Sequence, residues 1–283
     1  MTVLVIGARG RLAAGVIAEL VAAGVPVRAV TSDPSSVRLP SSVQVWPGSV
    51  RKPDGLADAL RGGVRKVFLY ADGGGVDGFL DMARDSGVEH VVLLSALTAR
   101  QADGGQLTDA DSITMRHVTV ERAIADSGIP WTFVRPGMFA TNTLRWAADI
   151  RTKGEVRMAR PGAEATPIHE QDIVAVATKA LVESGHEGAR YAMTGPESLS
   201  QRRQVELIGA ALGREIRVVE ISDEQALQDL ARWSSPEVAE RLVSRLAATD
   251  GVTAPLEDTV AQVLGRPPLT YAQWAVDHKA DFS

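Results

Sequence analysis

The 283-residue chain contains no cysteine. Disulfides, thiolate nucleophiles and cysteine-based zinc sites are therefore excluded. It also has no surplus of basic charge: 30 Lys and Arg stand against 35 Asp and Glu, a net charge of −5. A mildly acidic chain gives no electrostatic reason to expect nucleic acid or an anionic membrane as a partner. Long hydrophobic runs are missing too, since charge, Gly or Pro breaks each one well short of the about 18 residues that a membrane span needs. The opening "MTVLVIG" enters an apolar run at once, without a basic flank or a small-residue cleavage site. A cytoplasmic protein is the expectation. No repeat and no low-complexity tract breaks the chain. What remains is 45% hydrophobic and 23% charged, the balance of an ordinary globular protein.

The first half alternates short apolar runs with helical patterns. "TVLVIG" (2–7) predicts a buried strand and "LAAGVIAELVAAG" (12–24) a helix that stops at Gly24. Strands are predicted at 26–32, 43–49, 64–71, 88–96 and 130–137. Helices are predicted at 53–62, 76–87 and from 111 to about 127, the last after a polar loop over 97–110. Strand and helix repeated this way imply an α/β fold, a doubly wound parallel sheet covered on both faces. The second half reads as helices at 138–154, 169–184 and 198–213, strands at 189–195 and 216–222, and mostly helix to Ser283. Ser198 or Ser200 can cap the third of these helices. The expected division is a nucleotide-binding core over 1–137, rejoined by strand 189–195, and a smaller, mainly helical lobe over 138–283.

"IGARGRLAAG" sits between the first strand and the first helix. Gly7 and Gly10 hold the first two places of a G-x-x-G-x-x-G/A pattern, and Ala13 the third. Such a loop turns sharply, lets a pyrophosphate approach the backbone and packs helix on strand. Helix N–H groups then face the phosphates. A plain tight turn also explains two glycines, but this position in a βαβ pattern favours dinucleotide binding. An acid closing strand two would bind the ribose of NAD. That strand ends in Thr31 and Ser32, with Asp33 slightly late, while Arg9 stands in the loop where a cation meets a 2′-phosphate. NADP(H) is therefore favoured over NAD(H). Arg9 and Arg11 also read as solvated surface charges.

Longer segments then carry a likeness: "VLVIGARGRLAAGVIAEL", "PVRAVTSDP", "GVEHVVLLSAL", "VERAIADSGIPWTFVRPGMFATNTL", "PIHEQDIVAVATKALVESGHEGARYAMTGPESLS" and "GRPPLTYAQWAVDH". The chain resembles the NmrA-like, atypical branch of the short-chain dehydrogenase/reductase superfamily over nearly its full length. The resemblance implies a Rossmann sheet with a small C-terminal substrate lobe. It implies NAD(P)H binding and quinone, azo or enone-type reduction, natural-product tailoring, or cofactor sensing with little catalysis. Ser95 stands at the superfamily's catalytic-serine place. Ile113 and His117 stand at its tyrosine and lysine places, and Glu121 at a glutamate one turn beyond. Ser32 and Ser49 replace an arginine and an acid common in the family. The implied cofactor contacts are Gly7, Arg9, Gly10, Arg11, Leu12, Thr31, Ser32, Ser49, Ala71, Pro136 and His117.

Ketone reduction needs a proton donor beside the alkoxide, usually a tyrosine. Ile113 cannot serve. His117 can donate a proton near neutrality, can hold the nicotinamide ribose in place of the lysine, or can be a plain helix histidine. Hydride addition to a quinone gives a far weaker base, a phenolate-like anion with a pKa of about 10 that water can protonate. Positioning then matters more than a dedicated acid. Ser95 closes a parallel strand, where such sheets build their sites, and can hydrogen-bond the acceptor or simply satisfy a turn. Tyr70 can wall the nicotinamide, supply a phenol, or be an ordinary sheet aromatic. Glu121 can be a solvated carboxylate or half of an ion pair. Met138, Phe139, Asn142 and Trp146 are candidate substrate contacts, although Met138, Phe139, Leu144 and Trp146 also have the spacing of core residues. "HEQD" (169–172) has no metal-ligand spacing, and Asp172 reads as a helix-dipole charge.

The expectation is an NAD(P)H-dependent oxidoreductase acting on a small conjugated or aromatic carbonyl-type molecule, as monomer or homodimer. A cofactor-sensing regulator without turnover and a non-redox isomerase or cyclase are the alternatives.

Overall fold

A computed structural model describes residues 1–71, 74–104, 112–232 and 234–283. The elements run β1 (Thr2–Ile6), α1 (Arg11–Ala22), β2 (Val27–Thr31), β3 (Gln44–Pro47), α2 (Ala57–Leu60), β4 (Val64–Tyr70), α3 (Val76–Asp85), β5 (His90–Leu94), α4 (Ser112–Asp126) and β6 (Trp131–Pro136). Then come α5 (Ala147–Lys153), β7 (Glu155–Met158), β8 (Glu164–Ala165), α6 (Glu170–Val182), β9 (Ala189–Met193), β10 (Leu199–Ser200) and α7 (Gln201–Leu212). The chain closes with β11 (Arg217–Glu220), α8 (Asp223–Leu230), α9 (Pro236–Thr249), α10 (Thr259–Leu264) and α11 (Tyr271–Asp277).

Two compact units result. The first comprises Met1–Gly137, Glu170–Met193 and Thr259–Arg266; the second comprises Met138–His169, Thr194–Asp258 and Pro267–Ser283. The first unit carries a seven-stranded sheet in the order β3-β2-β1-β4-β5-β6-β9. Every pairing in it is parallel. The doubly wound α/β expectation is borne out. The order reverses between β1 and β4, which opens a crevice at their C-terminal ends.

The sheet's hydrophobic period explains its two covered faces. Leu4, Ile6, Val67, Leu69, Val91 and Leu93 alternate along three strands and join one cluster with Leu60, Phe79, Leu80, Val120 and Ile124 from the helices. Successive strand residues point to opposite faces, so the intervening Val3, Val5, Phe68 and Val92 are buried on the other side. There α1 and α6 lie against each other closely: a Cβ on Gly15 would come within 2.8 Å of a Val174 methyl.

The second unit buries Trp146, Ile150, Val156, Ile208, Tyr271, Trp274 and Phe282 in its own core. It holds two small sheets, antiparallel β10-β8 and parallel β11-β7. The strands β7, β8 and β10 are absent from the sequence-based expectation, being too short to show a period. The helix expected over 138–154 also splits. Ala140–Trp146 is a 3-10 turn, and only Ala147–Lys153 is α-helical. Short polar side chains compete for the backbone there: the Thr143 hydroxyl donates to the Ala140 carbonyl at 2.7 Å. The helix expected over 53–62 likewise begins as a 3-10 turn, Pro53–Leu56, around Gly55. Ser200, one of the two anticipated caps, accepts the Arg203 amide at the start of α7. Leu97–Ala102 of the polar loop is a 3-10 turn; positions 105–110 of that loop and the anticipated helix start at 111 lie outside the described residues.

Candidate cofactor and acceptor site

The glycine loop turns as the pattern requires. Gly7 has φ +82°, a conformation that suits glycine, and its amide and that of Ala8 donate to the Val30 carbonyl at 3.0 Å each. Gly10 precedes α1, and no side chain caps that helix. The amides of its first turn therefore face outward without a side-chain competitor, apart from Ala13. The Ala13 N–H donates to the Tyr70 hydroxyl at 3.1 Å.

Around this loop lies a cavity of about 330 Å³. It is lined by Gly7, Arg9, Gly10, Thr31, Ser32, Ser49 and Tyr70, among others. Seven of the residues anticipated from sequence are thus brought together by the ends of β1, β2 and β4 and the segment after β3. Arg11, Leu12, Ala71, Pro136 and His117 do not line it. Leu12 is buried in α1, Arg11 is exposed, and Ala71 packs on the sheet core.

Hydroxyls and Arg9 rim the cavity beside β2. Asp33, the nearest acid in sequence, is turned away into its own turn. Its carboxylate accepts the Ser35 hydroxyl at 2.6 Å and the Ser35 amide at 3.1 Å. The Ser35 hydroxyl lowers the Asp33 pKa most, with smaller help from the backbone, Ser36 and Arg9.

Tyr70 lines the same cavity. Its ring lies against the glycine loop, so that a Cβ on Gly7 would meet it at 3.2 Å and one on Gly10 would meet its hydroxyl at 2.9 Å. Burial pushes its pKa up to about 12, only partly offset by the Ala13 amide. A phenol so engaged and so weakly acidic is poorly suited to donate a proton. It supports the loop from the end of β4.

Ser95 follows β5 and is buried, 3% exposed, with its amide on the Val134 carbonyl at 2.8 Å. Its Oγ has no hydrogen-bond partner among the described residues. A buried hydroxyl without a partner is costly unless something else fills the role. His117 is half-buried on α4, and Ile113, one turn earlier, is 45% exposed.

One turn beyond His117 lies a network that sequence reading only touched. Arg135, at the end of β6, donates to Glu121 through Nε at 2.9 Å and Nη2 at 2.6 Å. It donates to Asp103 through Nη1 at 2.7 Å and Nη2 at 2.9 Å. Arg190 of β9 approaches the same Asp103 at 3.6 Å. Burial opposes the charge on Arg135, but Glu121 and Asp103 outweigh it and raise the arginine's pKa. The hydrogen bonds from Arg135 hold the Asp103 carboxyl below its ordinary value. Of the two readings of Glu121, the ion pair is the observed one. The signal was an arginine at the C-terminal end of a buried strand, where a charge needs a partner.

In the second unit Met138 and Phe139 are half-buried, Asn142 is exposed and Trp146 is buried. Trp146 belongs to that unit's core cluster. Its reading as a core residue, open at the sequence level, is the one its packing supports. Asp172 of "HEQD" is fully buried and meets Arg266 at 2.7 Å, so it is half of an ion pair and not a simple dipole charge. Among the described residues no helix is long and apolar enough to cross a membrane.

A family model described as NAD(P)H-binding matches residues 7–184. The chain belongs to this NAD(P)H-binding family. The NmrA-like resemblance is borne out with it. Two curated relatives match end to end. The (4-alkanoyl-5-oxo-2,5-dihydrofuran-3-yl)methyl phosphate reductase of Streptomyces griseus is 35% identical, over 99% of each chain. The NAD(P)H azoreductase of Xenophilus azovorans is 34% identical, again over 99% of each. Among solved structures, the Escherichia coli NADPH-dependent quinone oxidoreductase complexed with NADPH has the same fold. Its TM-score is 0.80 at 22% identity, covering 97% of this chain and 99% of that one.

Proposed function

We propose that the chain is an NADPH-dependent reductase that delivers hydride to a small conjugated acceptor, a quinone, enone or azo-type molecule. The observation that carries this is the cavity over the glycine loop, rimmed by Thr31, Ser32, Ser49 and Arg9 and, among the described residues, by no carboxylate. Those residues fit a phosphorylated adenosine better than a bare ribose diol, which an acid at the end of β2 would hold. The two full-length relatives act on a furanone phosphate and on azo compounds, and both kinds of substrate are conjugated.

Bound NADPH supplies the hydride. The residues then have separable roles. Gly7 and Gly10 let the pyrophosphate reach the backbone, and the uncapped amides of α1 meet its oxygens. Arg9 pairs with the 2′-phosphate. The Ser95 hydroxyl, which has no hydrogen-bond partner among the described residues, donates to the acceptor oxygen as negative charge grows there. His117 holds the nicotinamide ribose or returns the proton. The superfamily's Tyr-Lys pair is missing in this reading, since Ile113 and His117 stand in its places. That loss restricts turnover to acceptors whose reduced anion is weakly basic. Met138, Phe139 and Asn142 of the second unit keep accessible surface.

The test is NADPH consumption across a panel of quinones, enones and simple ketones. Conjugated acceptors are expected to turn over and simple ketones not. Tight NADPH binding with no turnover on any of them would favour a cofactor sensor or a non-redox enzyme instead.

A further inference from the structure

The hydroxyl of Tyr70, at the end of β4, is only half spent. A phenol can accept one hydrogen bond and donate another. Here the oxygen accepts the Ala13 N–H at 3.1 Å. Among the described residues no acceptor takes the hydroxyl's own proton. The ring is well fixed. Phe68 meets it edge-on, with centroids 5.6 Å apart and planes at 84°. Gly7 crowds it as well, since a Cβ there would come within 3.2 Å. Burial keeps the group protonated, with its pKa pushed up to about 12. Such a phenol does not surrender its proton, but it can share it in a hydrogen bond.

The position of the hydroxyl decides what it can share that proton with. A Cβ on Gly10 would lie 2.9 Å from it. Gly10 is the second glycine of the loop, the one whose bare backbone lets a pyrophosphate come close. The hydroxyl therefore borders the space that the missing Cβ leaves, and Tyr70 and Gly10 line one cavity. Ala13 belongs to the first turn of α1, whose amides face an anion at the helix N-terminus. By accepting that amide the phenol becomes a better donor in turn, because linked hydrogen bonds polarise one another. A pyrophosphate oxygen suits it, since a charged acceptor makes the stronger bond.

We propose that the Tyr70 hydroxyl is a cofactor contact, accepting the Ala13 N–H and donating its own proton to the pyrophosphate of NADPH. The contact rests on the dinucleotide binding of the reading above, and not on turnover of any acceptor.

Calorimetry on the full chain, wild type against Tyr70→Phe, tests it. Phenylalanine keeps the ring against Phe68 and Gly7 and removes only the oxygen. Tyr70→Phe should weaken NADPH and NADH alike, by about tenfold each, because both carry the pyrophosphate. Adenosine 2′-phosphate, which has no pyrophosphate, should bind both proteins equally. Unchanged dinucleotide affinity in the variant would overturn the contact. Tighter binding would overturn it too, since the hydroxyl would then be competing with the pyrophosphate. So would an equal loss for adenosine 2′-phosphate, which would show the hydroxyl acting through the shape of the loop. Quinone turnover by a variant that binds NADPH as the wild type does would sink the contact and leave the reductase reading standing. The expected loss of dinucleotide affinity in a protein that reduces no acceptor would do the reverse.

Discussion

Single side chains set the cofactor and the chemistry. Arg9 is exposed on the loop and reaches Asp33 only weakly, so its charge is available to a ligand. Arg9→Ala should raise the Kd for NADPH by about tenfold and leave NADH nearly unchanged, as read by fluorescence titration. Equal losses for both cofactors would show that Arg9 does not read the 2′-phosphate. Ser95→Ala removes the one buried hydroxyl at the tail of β5 and should lower kcat about 100-fold with little change in NADPH affinity. His90 gives a pH prediction of another kind. It is buried, 2% exposed, and its Nε2 lies 2.9 Å from the Thr132 hydroxyl. Burial first, then the charge of Lys66, depresses its pKa from 6.5 to about 4. The unfolded chain therefore binds this proton at a higher pH than the folded one does. Stability from His90 is complete above pH 6.5 and declines as pH falls toward about 4. Denaturation midpoints of wild type and His90→Gln across that window should converge on acidification. A constant gap would remove His90 from the acid response.

Elements are tied together by one buried cation. Arg135 joins β6 to α4 through Glu121 and to the segment after β5 through Asp103. The helix that carries His117 and the segment that leaves β5 through Ser95 thereby share a single clamp. Arg135→Met leaves Glu121 buried without its partner and should cost about 3 kcal/mol or more in denaturant unfolding. Glu121→Leu combined with Arg135→Met should recover much of that loss, since an apolar pair replaces a desolvated one. If the double variant is as unstable as the single, the clamp contributes packing and not charge pairing. Tyr70 works at the same scale, holding the first turn of α1 through the Ala13 amide from the end of β4.

For the whole molecule, legibility followed length and period. The strands of the parallel sheet were readable because short apolar runs rich in Val, Leu and Ile suit a strand buried on both faces. The glycine loop was readable because Gly7 and Gly10 fall between the first strand and helix. Short elements were not: β8 and β10 span two residues each, too few to display alternation. The site was half-legible. Gly7, Arg9, Gly10, Thr31, Ser32, Ser49 and Tyr70 do meet around one cavity. The partners of Tyr70 and Arg135 were hidden, because Ala13 and Tyr70 lie 57 positions apart and Arg135 and Asp103 lie 32 apart. Only the folded sheet brings such pairs together. Trp146 reads identically as pocket wall or core until its neighbours are known.

The central claim is hydride delivery from NADPH to a conjugated acceptor without the superfamily's tyrosine. The most direct measurement mixes the purified chain with NADPH deuterated at the transferable position and a quinone. Cofactor absorbance and the label in the product are then followed. The account predicts cofactor consumption matched one to one by reduced quinone, slower with the deuterated cofactor, and none with a simple ketone. Saturable NADPH binding with no consumption on quinones, enones or ketones would contradict it.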